Sequence, residues 1–352
     1  MGVKKAPRSV AGQPLSSRGR RGDRKTVWMP FRVDEFDDLP DNLSYVTWDG
    51  SAELPEDPAL ANFYVHPLVQ DVSVIRRPLS QMTGLTVMQA LSSGIDHLVP
   101  LLQRRAHHVV LCSAGGVHSE STAELALTLI LASLRGLPGF VRQQTEGRWA
   151  QAIGRSLFGA SVLIIGYGAV GAAVDRLLAP FGCTVTRVGR TRRMSLRGEV
   201  QAHSRLPVLV PSADVIVVAT AATDATRNLV DARFLARMKD GALLVNMSRG
   251  SVVDSSAVVA ALRAGRIMAA LDVTDPEPLP ADDILWRAPG SLITPHVGAF
   301  TSTLRSRLTG LVQQQIWRFA LNRPLHHVVQ YPEGPISRSN CALTNDLDQK
   351  RE

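Results

Sequence analysis

Cysteine is scarce in this sequence of 352 residues, and long apolar runs are missing. The three cysteines, Cys112, Cys183 and Cys341, are scattered without CxxC spacing, which is typical of reduced thiols rather than of a disulfide framework or a metal site. No run of about twenty apolar residues occurs, so no membrane-spanning helix is expected. The start of the chain lacks the apolar core of a secretory signal, and we expect a cytoplasmic protein.

Acidic residues are nearly absent from residues 1–25, where eight basic side chains face only Asp23. Seven of the chain's eight net positive charges lie in that segment, and the remainder is close to neutral. A nearly neutral body lacks the broad basic face that nucleic-acid binding requires. We therefore expect a disordered basic tail over residues 1–26 and no nucleic-acid or membrane partner. A role for the tail at such a surface is the weaker alternative.

Short apolar runs alternate with helical patterns between residues 27 and 331, as in the βαβ units of a parallel sheet. Predicted strands lie at 161–165, 184–188, 213–220, 242–246, 269–273 and 291–294. A helix is predicted over Ala169–Leu178, and Pro180 ends it. This pattern predicts a doubly wound, parallel-sheet Rossmann domain over residues 123–299.

A smaller unit of similar style precedes it, with strand candidates at 72–75, 86–90 and 109–111. The run Ser121-Thr122-Ala123-Glu124 fits a capping box that opens a helix through residue 134. A second helical segment, 303–321, can return the chain to the smaller unit. The predicted fold is therefore a discontinuous, flavodoxin-like α/β substrate domain (27–122 and 300–331) interrupted by the Rossmann domain, with a loose tail at 332–352.

A glycine-rich turn joins the first Rossmann strand to its helix: Gly166-Tyr167-Gly168-Ala169-Val170-Gly171. In this context the first glycine allows the tight turn, the second admits a pyrophosphate, and the third lets helix and strand pack closely. The free N–H groups at the helix start attract phosphate. The motif indicates a dinucleotide cofactor. A purely structural turn and the similar turn of methyltransferases are the alternatives.

The end of the next strand lacks the acidic residue with which NAD-binding domains hold the ribose. It reads Gly189-Arg190-Thr191-Arg192-Arg193 instead. Arginine matches the geometry of a 2′-phosphate. The pattern favours NADP(H), with NAD(H) possible, and the alternative is a solvated basic turn.

Three segments at the ends of later strands carry ionisable groups: Asn246-Met247-Ser248-Arg249-Gly250, the stretch from Asp272 to Glu277, and Thr294-Pro295-His296-Val297-Gly298. Each has an ordinary explanation when taken alone, as a salt-bridged turn, a solvated acid or a hydrogen-bonded histidine. Parallel sheets place their sites at this edge, and the segments follow a dinucleotide motif. Their combination indicates an oxidoreductase site.

With these motifs the sequence resembles the D-isomer-specific 2-hydroxyacid dehydrogenases over residues 27–329, especially the phosphoglycerate dehydrogenase-like and glyoxylate/hydroxypyruvate reductase-like members of actinobacteria. The resemblance implies a homodimer without a metal, acting on a small 2-keto or 2-hydroxy acid. It implies the catalytic residues Arg249, Glu277 and His296, the cofactor contacts Ser248, Asp272 and Gly298, and the substrate contacts Ser92, Ser93, Gly94 and Arg249. Asp272 would hold the nicotinamide carboxamide, and the loop from Ser92 to Gly94 would offer N–H groups to the substrate carboxylate.

The chemistry of 2-keto acid reduction suits these side chains. Arg249 can grip the carboxylate and polarise the carbonyl, and His296 can protonate the developing alkoxide. Glu277 would stabilise the protonated imidazole and fix its orientation. The pattern departs from the family at two places. Gly189-Arg190 stands where an acidic residue is usual, and Gly298-Ala299 stands where two glycines are usual. A nicotinamide-sensing binding protein of the C-terminal binding protein corepressor type is the alternative, since it shares this trio.

Overall fold

The computed structural model describes residues 24–69, 71–105 and 108–331, and within them the chain forms two mainly parallel sheets. The strands are β1 (Lys25–Met29), β2 (Leu43–Thr47), β3 (Ala61–Val65), β4 (Val87–Gln89), β5 (Val110–Cys112), β6 (Ser161–Ile165), β7 (Thr184–Gly189), β8 (Arg193–Ser195), β9 (Gly198–Ala202), β10 (Val215–Val218), β11 (Ala242–Asn246), β12 (Ile267–Leu271), β13 (Ser291–Ile293) and β14 (Val328–Val329). The helices are α1 (Val72–Leu79), α2 (Val99–Leu102), α3 (Ser119–Leu134), α4 (Leu137–Thr145), α5 (Ala169–Leu178), α6 (Leu206–Leu209), α7 (Ala232–Arg237), α8 (Ser255–Arg263) and α9 (Leu304–Ala320).

The first sheet has the order β14-β5-β4-β3-β1-β2, and its strands are parallel except for β14. α9 packs on one face of it through Leu308, Val312 and Ile316, which join the core formed around β1 and β3. β14, close to the end of the described chain, pairs with β5. The last part of the chain therefore returns to the sheet with which it began.

The second sheet has the order β13-β12-β11-β10-β6-β7-β9-β8, and only β8 runs antiparallel to its neighbour. Its central strands are buried along their whole length, as expected for a parallel sheet covered on both faces. α3 and α5 share a core with one face, and α7 and α8 with the other. This confirms the predicted α/β, Rossmann-type fold class.

Several sequence predictions of local structure need correction. The candidate strand at 72–75 is the start of α1, because Asp71 caps a helix by accepting a hydrogen bond from the Ser73 N–H at 2.8 Å. Short apolar runs do not distinguish a strand from a buried helix face, and here Val72, Ile75 and Leu79 follow helical spacing.

The predicted capping box is also wrong. The N-cap of α3 is His118, three residues before Ser121, and the hydroxyl of Ser121 donates to the carbonyl of His118 inside the first turn. The first strand begins at Lys25 rather than after residue 26, because Lys25 and Thr26 pair with β2. The rest of the predicted N-terminal tail, 1–23, and the C-terminal one, 332–352, lie outside the described residues.

Within the described ranges, no single helix is long and apolar enough to cross a membrane. α3 and α4 meet the length and composition criteria only together, as a pair bent by 68°.

Candidate active site

The glycine-rich turn between β6 and α5 has two glycines that the fold itself requires. Gly166 has φ +99°, and a Cβ there would lie 2.3 Å from the Thr220 nitrogen. A Cβ on Gly171 would lie 2.3 Å from the Gly166 carbonyl oxygen, which holds helix and strand close together. Gly168 differs, because nothing among the described residues lies within 4 Å of the position of its Cβ. The middle glycine therefore opens onto free space beside the first turn of α5, which suits a pyrophosphate.

That space belongs to a cleft of ≈ 460 Å³ between the two sheets. The cleft brings together predicted cofactor and substrate residues from distant parts of the sequence: Ser93, Gly94, Gly168, Ala169, Val170, Ser248 and Arg249. Ser92 lies in the same loop, where its hydroxyl donates to the Gly94 carbonyl at 2.7 Å. The hydroxyl of Ser248 donates to the carbonyl of Thr220. The loop after β4 is thus held by a hydrogen bond of its own, and across the cleft the loops after β10 and β11 are held to each other.

The arginines after β7 differ in their contacts. Arg192 pairs with Glu199 on β9. Arg193 starts β8 and donates from Nη2 to the Tyr167 carbonyl at 2.6 Å. Arg190 is exposed and has no ion pair or side-chain hydrogen bond with the described residues, and Thr191 beside it is also exposed. Arg190 is therefore the cation at this strand end that remains available to a ligand.

A buried acid that no sequence motif indicated anchors this region. Asp175 on α5 is 1% exposed and accepts a hydrogen bond from the Tyr167 hydroxyl at 2.6 Å. Arg187 of β7 binds the same carboxylate through Nε at 2.8 Å and Nη2 at 3.1 Å, and Arg197 of the β8–β9 turn approaches it at 3.1 Å. Burial raises the pKa of Asp175, but the hydrogen bonds from Arg187 and Tyr167 outweigh it and hold the pKa below its usual value.

The predicted catalytic arginine follows β11. Its Nη1 donates to the Ser248 carbonyl at 2.8 Å, and its Nε lies 3.5 Å from Oδ1 of Asp96 across the cleft. Gly250, the next residue, could not carry a side chain, because a Cβ would lie 1.8 Å from the Thr274 carbonyl oxygen. The Arg-Gly pair thus reflects close packing of two loops as well as the position of a cation.

The predicted histidine and glutamate meet directly. Nδ1 of His296 lies 2.7 Å from Oε2 of Glu277, and the other carboxylate oxygen accepts a hydrogen bond from the Thr274 N–H at 3.0 Å. Burial raises the pKa of Glu277, but the contact with His296 and the charge of Arg249 hold it below its usual value. His296 and Glu277 line a second pocket of ≈ 120 Å³, separate from the cleft that contains Arg249. The structure therefore joins two members of the trio, with the third within electrostatic range.

Asp272 organises the loop that carries the histidine. One carboxylate oxygen accepts from the Thr294 hydroxyl at 2.7 Å and from the Val297 N–H at 2.9 Å, and the other accepts from the Gly298 N–H at 3.0 Å. Burial raises the pKa of Asp272, and these hydrogen bonds limit the rise. The loop holds His296 at φ +54°, a left-handed conformation that is uncommon outside glycine.

Comparison with known proteins identifies the family of this chain. A family model described as "D-isomer specific 2-hydroxyacid dehydrogenase, NAD binding domain" matches residues 127–298. A glyoxylate reductase/hydroxypyruvate reductase of Homo sapiens is 36% identical over 241 residues, which cover 66% of this chain and 73% of that protein. A glyoxylate/hydroxypyruvate reductase B of Salmonella typhi is 34% identical over 242 residues, covering 66% and 74%.

Solved structures give the same result over more of the chain. A D-isomer specific 2-hydroxyacid dehydrogenase family protein of Aeromonas salmonicida is 27% identical, with a TM-score of 0.78 and coverage of 88% of this chain and 100% of that one. An NADPH-dependent glyoxylate/hydroxypyruvate reductase of Sinorhizobium meliloti, solved with NADP and malonate, is 25% identical, with a TM-score of 0.72 and coverage of 87% and 97%. These names do not favour the corepressor-type alternative. The chain belongs to the D-isomer specific 2-hydroxyacid dehydrogenase family and is an NAD(P)-dependent oxidoreductase that acts on small 2-keto or 2-hydroxy acids.

Proposed function

We propose that this protein reduces small 2-keto monocarboxylic acids of the glyoxylate and hydroxypyruvate type, with NADPH as the preferred cofactor. The observation that carries the proposal is the 2.7 Å contact between His296 and Glu277 at a strand end, within electrostatic range of Arg249. That set provides a proton donor, a charge that stabilises the protonated donor, and a cation for the carboxylate. The proteins named as glyoxylate and hydroxypyruvate reductases support the substrate class.

Each member of the trio has a separate task in this proposal. Arg249 binds the substrate carboxylate and polarises the adjacent carbonyl. His296 donates a proton to the carbonyl oxygen as negative charge develops there, and Glu277 holds the ring by Nδ1. No polar partner for the other ring nitrogen, Nε2, is found among the described residues, so it can serve the substrate. The bound nicotinamide supplies the hydride to the carbonyl carbon.

The described residues fit a dinucleotide. The open space at Gly168 and the first turn of α5 suit the pyrophosphate, with Ala169 and Val170 beside it. A carboxylate has about four acceptor positions, and three of those on Asp272 are used by its own loop. The fourth can accept a hydrogen bond from the nicotinamide carboxamide. Asp272 would then fix both the histidine loop and the ring.

NADPH is preferred in this proposal because Arg190, which has no ion-pair partner among the described residues, lies at the strand end where the 2′-phosphate would bind. Glu199 offsets the charge of Arg192, and the Tyr167 carbonyl occupies a donor of Arg193, so both offer less to a phosphate than Arg190 does. NAD-specific domains hold the ribose with an acidic residue at this strand end, and this chain has Gly189 and Arg190 there instead.

We also propose a homodimer of two-domain subunits. The return of β14 to the first sheet supports the predicted division into 27–122 with 300–331 and 123–299, with the start of the first domain moved to Lys25. The segment between α4 and β6 exposes Trp149, Ile153 and Phe158, an apolar group that a second subunit could cover.

The direct test is a panel of 2-keto acids assayed with NADPH and with NADH. We expect oxidation of NADPH with glyoxylate and hydroxypyruvate, and a lower KM for NADPH than for NADH. Turnover with neither cofactor on any 2-keto acid would refute the proposed activity. Equal KM values would refute only the cofactor preference.

A further inference from the structure

One charged side chain of the cleft has no task in the proposed function. Asp96 lies in the loop after β4, two residues beyond Gly94, and lines the same cleft as Arg249. Its side chain is 52% exposed, and Oδ1 is 3.5 Å from Nε of Arg249. An acid in the wall of a site for an anionic substrate repels that substrate, unless it acts chiefly on a neighbouring cation.

The guanidinium of Arg249 is restrained on three sides. Nη1 donates to the carbonyl of Ser248, and Nε faces Asp96. The Nη2 end lies so close to Gly94 that a Cβ there would be 1.4 Å from it. Ser248 follows β11 of the second sheet, whereas Gly94 and Asp96 follow β4 of the first. The arginine side chain therefore contacts loops of both sheets, which restrict its position.

We propose that Asp96 is a positioning residue that fixes the plane and the free edge of the Arg249 guanidinium. The inference rests on the carboxylate-binding role proposed for Arg249. With Nε facing Asp96 and one N–H of Nη1 donated to the Ser248 carbonyl, the second N–H of Nη1 and those of Nη2 remain for the substrate, beside the backbone of Gly94. Gripping a planar carboxylate requires a fixed guanidinium plane, and small misplacements of a positioned group reduce the rate strongly. The ion pair also links a loop of the first sheet to a loop of the second across the cleft.

The first readout is kinetic. Asp96→Ala should lower kcat/KM for glyoxylate about tenfold, because the guanidinium loses the ion pair that fixes its plane, while the Kd for NADPH stays unchanged. Asp96→Asn keeps an acceptor oxygen and should lose less. In an Arg249→Ala background, Asp96→Ala should cost almost nothing, because the residue acts through the arginine. An exposed acid two residues beyond the cleft-lining Ala222 supplies the control, Asp224→Ala, which should resemble wild type.

The second readout needs no turnover. The rate of modification of Arg249 by phenylglyoxal, measured by peptide mass spectrometry, should rise severalfold in Asp96→Ala, with Arg190 as the internal reference. An unchanged rate at Arg249 would overturn the proposal even if no 2-keto acid is reduced. The proposal would also be overturned if Asp96→Ala lowered kcat/KM equally in the wild type and in Arg249→Ala. A parallel loss of NADPH binding in Asp96→Ala would overturn it as well. Failure of the wild type to reduce any 2-keto acid would count against the proposed function, and the labelling result would still decide whether Asp96 restrains the arginine.

Discussion

The contact between Nδ1 of His296 and Oε2 of Glu277 places a carboxylate directly against a titratable ring. The pKa of Glu277 lies below its usual value despite burial, because the histidine and Arg249 favour its charged form. The glutamate is therefore ionised throughout the neutral range, and its negative charge lies directly against the Nδ1 edge of the ring. The strand-end motifs and the family resemblance suggested both residues, but only the fold shows that the atoms meet.

Glu277→Gln tests this pairing. Reduction requires the protonated acid, and glutamine offers no negative charge to hold that proton. We expect the alkaline limb of kcat/KM for glyoxylate reduction to move to lower pH. His296→Ala, in comparison, should lower kcat by roughly 10²–10⁴, the usual contribution of a positioned acid. A loss of activity in Glu277→Gln with an unmoved limb would show that the carboxylate does not tune the histidine.

Arg190→Ala tests the cofactor preference at the same scale. Removal of this exposed guanidinium should weaken NADPH binding by about 1.5–3 kcal/mol, the range for hydrogen bonds to charged groups, and leave NADH binding nearly unchanged. Fluorescence titration with each cofactor measures the two Kd values. Arg192→Ala is the matched control, because that side chain already pairs with Glu199, and its effect should be smaller. Equal losses for both cofactors would contradict the assignment of Arg190.

At the scale of elements, the sequence predicted best where burial leaves little choice. The limits of β6, α5 and β11 agree residue for residue, because apolar runs buried on both faces and the intervening glycines define them. The prediction failed at 72–75, where capping by Asp71 produces a helix. The β8–β9 hairpin was missed as well, since its residues are polar and its anchor, Asp175, is distant in the sequence. Contacts of that kind leave no local pattern.

Asp175→Asn tests the anchor of this hairpin. Breaking a buried pair leaves Arg187 uncompensated, so we expect a loss of about 3 kcal/mol in the free energy of unfolding near neutral pH. The pKa of Asp175 is depressed in the folded state, so its contribution is complete above the unfolded value and is lost as the pH falls through the folded one. The difference in the free energy of unfolding between wild type and variant should therefore become smaller below pH 3.8.

Urea denaturation at several pH values measures this difference in the free energy of unfolding. The control is Asp240→Asn, which removes an acid that is 81% exposed and pairs with Arg266, and it should cost only about 0–1 kcal/mol. A gap for Asp175→Asn that is equally small at neutral pH would mean that the buried cluster contributes little to stability.

For the whole molecule, the alternation of apolar strands and helices in the sequence predicts the two sheets and the cleft between them. A surface that contacts another polypeptide leaves no such pattern in the sequence. The segment between α4 and β6 exposes Trp149 by 93% and Phe158 by 71%, and Ile153 is fully exposed. Residues 148–156 have no regular secondary structure. The exposure of these large apolar side chains is better explained by contact with a partner surface than by the fold of the single chain.

Ile153→Glu tests whether that partner is a second copy of this chain. The wild type should sediment as a dimer, and a charge placed in the covered surface should shift the protein to the monomer, because an unpaired charge is costly to bury. Leu196→Glu is the matched control, since Leu196 in the β8–β9 turn is equally exposed and belongs to another surface. It should remain dimeric. A monomeric wild type at micromolar concentration, or equal dissociation of both variants, would refute the assignment of the α4–β6 segment to a homodimer interface.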